Sequence, residues 1–258
     1  MPFLAECANI LIKYWPSFFL GIKTTILIAF SGTIIGLALG LLVGGIRAIK
    51  LDKTAPSYAK ILKRIYDTIS WIYIEVFRGT PMMVQAVFLY YALRPVFNWS
   101  YIPAGIFVIS VNTGAYMAEI VRSGIQSIDV GQTEAARSLG MSNMQTMMNV
   151  ILPQAIKNAF PSIGNEFIVN IKDSSVLMII SITELMFQAK SIAGSTYKFT
   201  ETYFVTACVY LVMTMTTSFI LNQIEKKLNH TKTTLPQSDT FVKTMNLAKE
   251  DQNHERTY

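Results

Sequence analysis

Glu166, Asn170 and Asp173 recur at spacings i, i+4 and i+7, and Leu177 continues the row. On a helix these positions fall on one stripe, with Lys172 turned about a third of a turn away. A second polar row, Asn112, Tyr116 and Glu119, has the same spacing, and Arg122 stands within pairing reach of Glu119. A third group is Arg78-Gly79-Thr80-Pro81. Each lies inside a strongly apolar stretch, where an ionised side chain costs ~3 kcal/mol unless it faces protein or water. Glu166 and Asp173 suit an ammonium or a cationic side chain. Arg78, or helix ends freed at the glycine–proline break, suit a carboxylate. Two other uses remain open. Buried ion pairs, for instance Lys172 with Glu119, would tie helices together, and Arg78 would serve as an interfacial anchor.

The surrounding composition says where these residues sit. Of 258 residues, 52% are hydrophobic and 15% are charged, well below the ~25% of soluble domains. The apolar residues gather in runs, which predicts an all-α membrane protein with about five spans. These are residues 18–46, 69–93, 102–125, 162–182 and 203–224. Span one carries Gly32, Gly36, Gly40 and Gly44 at four-residue spacing, a smooth stripe suited to close helix contact. Residues 58–69 predict an amphipathic surface helix with lysines at helical spacing. Span two should break at Gly79-Pro81, which is tolerated at membrane depth only beside protein or a water-filled cavity.

The net charge of +6 needs no nucleic acid. Arg47, Lys60, Lys63, Arg64, Arg122, Arg137, Lys157, Lys226 and Lys227 fall on one side of the five-span arrangement, and few cations fall on the other. That bias predicts an external N-terminus (residues 1–17), a transmembrane core at 18–228 and a polar inner tail at 229–258. Cys7 and Cys208 match no metal spacing, and His230 and His254 have no partner spacing. No catalytic triad and no G-x-x-x-x-G-K-[ST] phosphate loop is present.

One polar stretch, about 126–160, is long for a connection in such a chain and carries its own helix punctuation. Thr133–Leu139 predicts a helix with Glu134 in its first turn and Gly140 as its stop. Ser142 to Gln145 fits a capping box for a second helix that ends at Pro153. Ala135 and Ala136 would let a partner approach closely. Leu139 and the methionines at 144, 147 and 148 would give an adaptable apolar face. Two helices packed on the bundle would satisfy the same pattern.

Glu134-Ala135-Ala136, Gly140, Val150 and Leu152-Pro153 also resemble the "EAA" loop of the membrane subunits of bacterial ABC importers, with Val150 where isoleucine is usual. Phe77 to Pro81, Ala115 to Arg122, and Gly164 to Ser175 resemble the polar amino acid branch of that family. The resemblance covers about residues 15–228. It implies a type I importer permease fold and a multi-pass protein of the bacterial cytoplasmic membrane. It also implies that Glu134, Ala135, Ala136, Leu139 and Gly140 couple to a separate ATPase dimer that binds ATP-Mg, with no cofactor on this chain. A second permease copy or close homologue, an extracytoplasmic solute-binding protein and an amino acid substrate complete the set. The path for that substrate would run along Glu166, Asn170, Asp173, Ser174, Arg78, Thr80, Asn112, Tyr116 and Glu119. The other reading that the polar stripe allows is an ion-driven carrier or channel, in which the carboxylates would serve protons. An intramembrane enzyme lacks a nucleophile or a metal constellation.

Overall fold

The computed structural model describes residues 2–49, 51 and 55–229; the tail from 230 and part of the 50–54 connection lie outside the described residues. The described residues contain no strand. The helices are α1 (Pro2–Lys13), α2 (Trp15–Ala48), α3 (Ser57–Gly79), α4 (Met82–Phe97), α5 (Tyr101–Gln126), α6 (Val130–Ser138), α7 (Asn143–Thr146), α8 (Leu152–Asp173), α9 (Leu185–Thr196) and α10 (Phe199–Asn229). A π-helical turn, Met147–Ile151, joins α7 to α8, and a 3₁₀ segment, Ser174–Ile180, follows α8.

Apolar side chains gain little from leaving lipid, so close packing and polar bonds must hold the helices together. The glycine stripe of α2 supplies the packing. Gly32, Gly36, Gly40 and Gly44 meet Ile109, Thr113, Met117 and Ala118 of α5 in that order, so α2 and α5 run parallel. A Cβ on Gly40 would lie 2.3 Å from the Met117 Cβ, and one on Gly44 2.4 Å from the Ala118 carbonyl oxygen. α8 runs the other way. Its Ala155 and Ala159 press on Gly124 at one end of α5, and Asn170 meets Thr113 further along. The chain thus travels the bundle with α2, returns with α3 and α4, goes back with α5, and returns again with α8.

Three helices, Trp15–Ala48, Tyr101–Gln126 and Phe199–Leu228, are each long and apolar enough to cross a bilayer. The run from Asn143 to Ile180, bent by 55° from α9, makes up to four with the bent pair counted as one. α4 is apolar but only 16 residues long. The predicted surface helix at 58–69 is not separate. It is the first half of α3, which continues to Gly79.

Residues 183–202, read from sequence only as a connection, contain α9. Glu184 caps it, taking hydrogen bonds from the Met186 and Phe187 N–H groups at 2.8 and 2.7 Å. Tyr210 of α10 donates to the same carboxylate at 3.0 Å, and the Leu185 N–H donates to Thr25 of α2 at 3.2 Å. Glu184 is wholly buried, so these bonds fix α9 against both long helices. The main apolar core lies where α2, α4, α5 and the 3₁₀ segment meet, around Ile28, Tyr90, Val108, Ile109, Leu177 and Ile182.

Gln223 to Asn229, the last turns of α10, fall in a second compact unit, apart from the first unit that ends at Asn222.

Candidate functional site

The loop after α5 is built by local chemistry. Asp129 accepts from the Gly131 N–H at 2.7 Å and opens α6 at Val130, so Glu134 stands past the first turn rather than in it. The Gly140 N–H donates to the Arg137 carbonyl at 2.9 Å, and the Met141 N–H to the Ala136 carbonyl at 3.2 Å. These two bonds form a Schellman ending, which needs a left-handed residue just past the helix. Gly140 takes φ +82° there. The capping box is present: Ser142 Oγ accepts from the Gln145 N–H at 3.2 Å, and the Gln145 side chain accepts from the Ser142 N–H at 2.9 Å. Arg137 donates to Asn143, clamping the end of α6 to the start of α7.

Pro153 does not end the second helix. It sits in the first turn of α8, and the chain stays helical from Asn143 to Asp173. Proline lacks an N–H and clashes with the carbonyl four residues earlier. The π turn at Met147–Ile151 absorbs both effects by widening the helix just before it. The two alanines also divide. Ala136 is buried against the protein while Ala135, Glu134 and Leu139 face outward, Leu139 being 84% exposed. The methionines split likewise, Met144 and Met148 outward and Met147 half-buried.

The interior polar residues form three groups. In the first, Asn170 donates to Thr33 Oγ1 at 2.8 Å and accepts from Thr113 Oγ1 at 3.0 Å, joining α8 to α2 and α5. Asn170 is 3% exposed, and Ser174 is buried with its hydroxyl donating to the Ile171 carbonyl at 2.9 Å.

The second group closes the α3–α4 break. It falls at Thr80-Pro81, as the sequence predicts. The Gln85 amide nitrogen lies 2.9 Å from the Phe77 and Thr80 carbonyl oxygens and 2.8 Å from Thr80 Oγ1. Asn112 donates to Gln85 Oε1 at 2.8 Å. Thus the carbonyls freed by the break are already occupied by the chain's own amides. Gln85, Thr33 and Thr113 were not singled out from the sequence. The only signal for Gln85 was a long polar side chain one turn into α4.

The third group is charged. Glu119 accepts from Arg47 at 3.1 Å and from Arg122 at 2.7 Å, not from Lys172. Arg47 comes from the last turn of α2 and Arg122 from the same helix as Glu119, so this cluster binds the loop end of the bundle. Arg78 is exposed, with its guanidinium carbon 5.6 Å from the centre of the Tyr116 ring. It is near enough to act electrostatically on Glu166, as is Asp173. Glu166 and Asp173 are half-buried and make no ion pair among the described residues. The arrangement therefore offers one exposed guanidinium, an aromatic face and two unpaired carboxylates in one neighbourhood. Such a set complements a small zwitterion.

Residues 54–230 match the sequence model of the family described as binding-protein-dependent transport system inner membrane component. The chain belongs to that family. As an inner membrane component it is a transport subunit rather than an enzyme. The glutamine transport system permease protein GlnP of Escherichia coli (strain K12) is 36% identical over 220 residues, which cover 83% of this chain and 95% of that protein. A chain in the crystal structure of an amino acid ABC transporter with histidines is 39% identical and superposes with a TM-score of 0.72, over 84% of this chain and 96% of that one. The inward-facing MetNI methionine ABC transporter has a chain with a TM-score of 0.71 at 21% identity, covering 84% of this chain and 98% of that one. That last likeness is one of fold alone.

Proposed function

We propose that this chain is the permease subunit of an importer for a polar amino acid of the glutamine type, in the cytoplasmic membrane of a bacterium. Its five passes would then be five spans with the N-terminus outside. Two copies, or this chain and a close homologue, would enclose the path. A dimer of ATPase subunits would carry ATP-Mg on the inner side, and a solute-binding protein would deliver substrate on the outer side. The substrate carboxylate would meet Arg78, and its ammonium would meet Glu166 or Asp173. Asn112, Asn170, Ser174 and Thr80 would shape the path by holding the helices around it, and Tyr116 would support Arg78.

The observation that carries this reading is mechanical. From Asn143 to Asp173 the chain is one helical run, with the exposed loop at one end and Glu166 and Asp173 at the other. A partner that grips Leu139 and Glu134 would move the two carboxylates through the Gly140 turn, which Arg137 clamps to Asn143. That suits alternating access, in which ATP binding draws the loops together. An ion-driven carrier would need carboxylates free to exchange protons along the row, and Glu119 is instead held between two arginines.

The test is uptake in proteoliposomes containing the chain, its ATPase and its binding protein. Glutamine accumulation that requires internal ATP supports the proposal. Accumulation on an ion gradient alone, with no ATPase present, overturns it.

A further inference from the structure

We infer that the corner between α2 and α3 binds an anionic glycerophospholipid, with its phosphate in a basic cavity and an acyl chain in an adjoining apolar one.

The basic cavity, of about 420 Å³, is lined by Arg47, Lys60, Lys63, Arg64, Asp67 and Trp71. Among the described residues, four cations and one carboxylate line it. Lys63 already pairs with Asp67 at 2.5 Å, and Arg47 pairs with Glu119, which also serves Arg122. The positive surplus survives these pairings, since Arg64 is exposed and makes no ion pair among the described residues. Beside it lies an apolar cavity of about 580 Å³ whose lining includes Tyr58, Leu62, Ile65 and Ile69. Leu51 and Lys63 line both cavities, so the two adjoin. Both volumes fall in the ~300–1,000 Å³ range of small-molecule sites.

The location selects a lipid over a soluble anion. Between Lys23 and Arg47, α2 carries no charged residue. At 1.5 Å per residue, that stretch is about the ~30 Å thickness of a hydrocarbon layer. Arg47 therefore marks the edge of the apolar layer, at the end of the bundle where the α6 loop emerges. A basic hollow placed there, with an apolar hollow beside it over the same turns of α3, matches an amphiphile with an anionic head. Leu62 and Ile69 are each 62% exposed on that face, while α3 touches α5 further along, where Tyr73 donates to the Val111 carbonyl. Clustered cations at the inner border attract anionic headgroups additively.

Trp71 is 54% exposed at the basic cavity and makes the site readable. The chain has three tryptophans, so Trp15→Phe with Trp99→Phe leaves Trp71 as the sole reporter. The full chain in phosphatidylcholine vesicles is titrated with dibrominated phosphatidylglycerol or, separately, dibrominated phosphatidylcholine. Quenching should report a preference of about tenfold for the anionic lipid, falling within about twofold in Lys60→Gln/Arg64→Gln. Native mass spectrometry of the wild-type chain reads the same preference without touching any tryptophan. Equal quenching by the two lipids overturns the proposal, as does a preference that survives the double substitution. Relief of quenching by soluble glycerol 3-phosphate overturns the lipid assignment in favour of a phosphate site. Absence of quenching by either lipid overturns it in favour of cover by another protein.

Discussion

Asn112 and Gln85 meet at 2.8 Å in the buried interior, and through this contact α5 holds the broken return pass closed. A glycine–proline break in an apolar segment frees carbonyls that hydrocarbon cannot satisfy. Here the Gln85 amide answers the Phe77 and Thr80 carbonyls, and Asn112 orients that amide. Gln85→Leu should therefore lower stability by about 1–3 kcal/mol, because Thr80 loses its donor and the buried Asn112 amide loses its acceptor, leaving the Phe77 carbonyl to Asn112 alone. Thermal unfolding in detergent reads this as a lower Tm. An unchanged Tm would mean that water serves the carbonyls instead.

The glycine stripe predicts a contrast between neighbours. A Cβ on Gly44 would sit 2.4 Å from the Ala118 carbonyl oxygen, and backbone cannot turn aside. A Cβ on Gly45 meets nothing within 4 Å. Gly44→Ala should destabilise by about 1–3 kcal/mol through overpacking. Gly45→Ala should instead gain about 0.5–1 kcal/mol from the better helix former. Opposite shifts in Tm for adjacent substitutions check the α2–α5 register directly.

Leu139 is 84% exposed at the end of α6, where none of the described residues covers it. Leu139→Asp should leave insertion and Tm unchanged while ATP-driven uptake falls about tenfold or more, as for a central interface contact. Gly140→Asp should act more broadly, because a side chain at φ +82° strains the turn itself. Parallel measurement of ATPase association and Tm separates the two. Full coupling in the Leu139 variant would remove α6 as the docking surface.

Glu166 and Asp173 should affect cargo rather than assembly. Glu166→Gln and Asp173→Asn should each raise the concentration needed for half-maximal uptake by about tenfold, the scale of one charge-assisted hydrogen bond. ATPase association should not move. Identical uptake kinetics for every amino acid tested would leave these carboxylates without a part in recognition.

Features decided by a few adjacent residues were readable in the sequence. The left-handed Gly140, the Ser142–Gln145 box and the break at Pro81 follow from backbone sterics and missing donors, and each stands where its residues put it. The α2 stripe was readable as a contact face but not its partner, since parallel packing on α5 depends on the whole connection between them. Long-range polar bonds were hidden for the same reason. Asn170 reaches Thr33 across 137 residues and Thr113 across 57. Nothing in the local pattern distinguishes such a knot from an open lining. Pro153 misled because its cost can be absorbed as well as obeyed, and the π turn absorbs it. Asp129, the true start of α6, was a standard cap in plain view, masked by the attention that Glu134 drew.

The π turn also fixes a phase relation. It holds one residue more than an α-helix of the same rise, so everything beyond it is rotated by about 100° from where an unbroken helix would face. The direction in which Glu166 and Asp173 face, relative to α7, is set with that surplus residue in place. Deleting a single residue between Met147 and Ile151 would leave both ends folded and both surfaces intact, yet aim them in different directions. The loop and the far end of α8 thus owe their relative rotation to a one-residue irregularity.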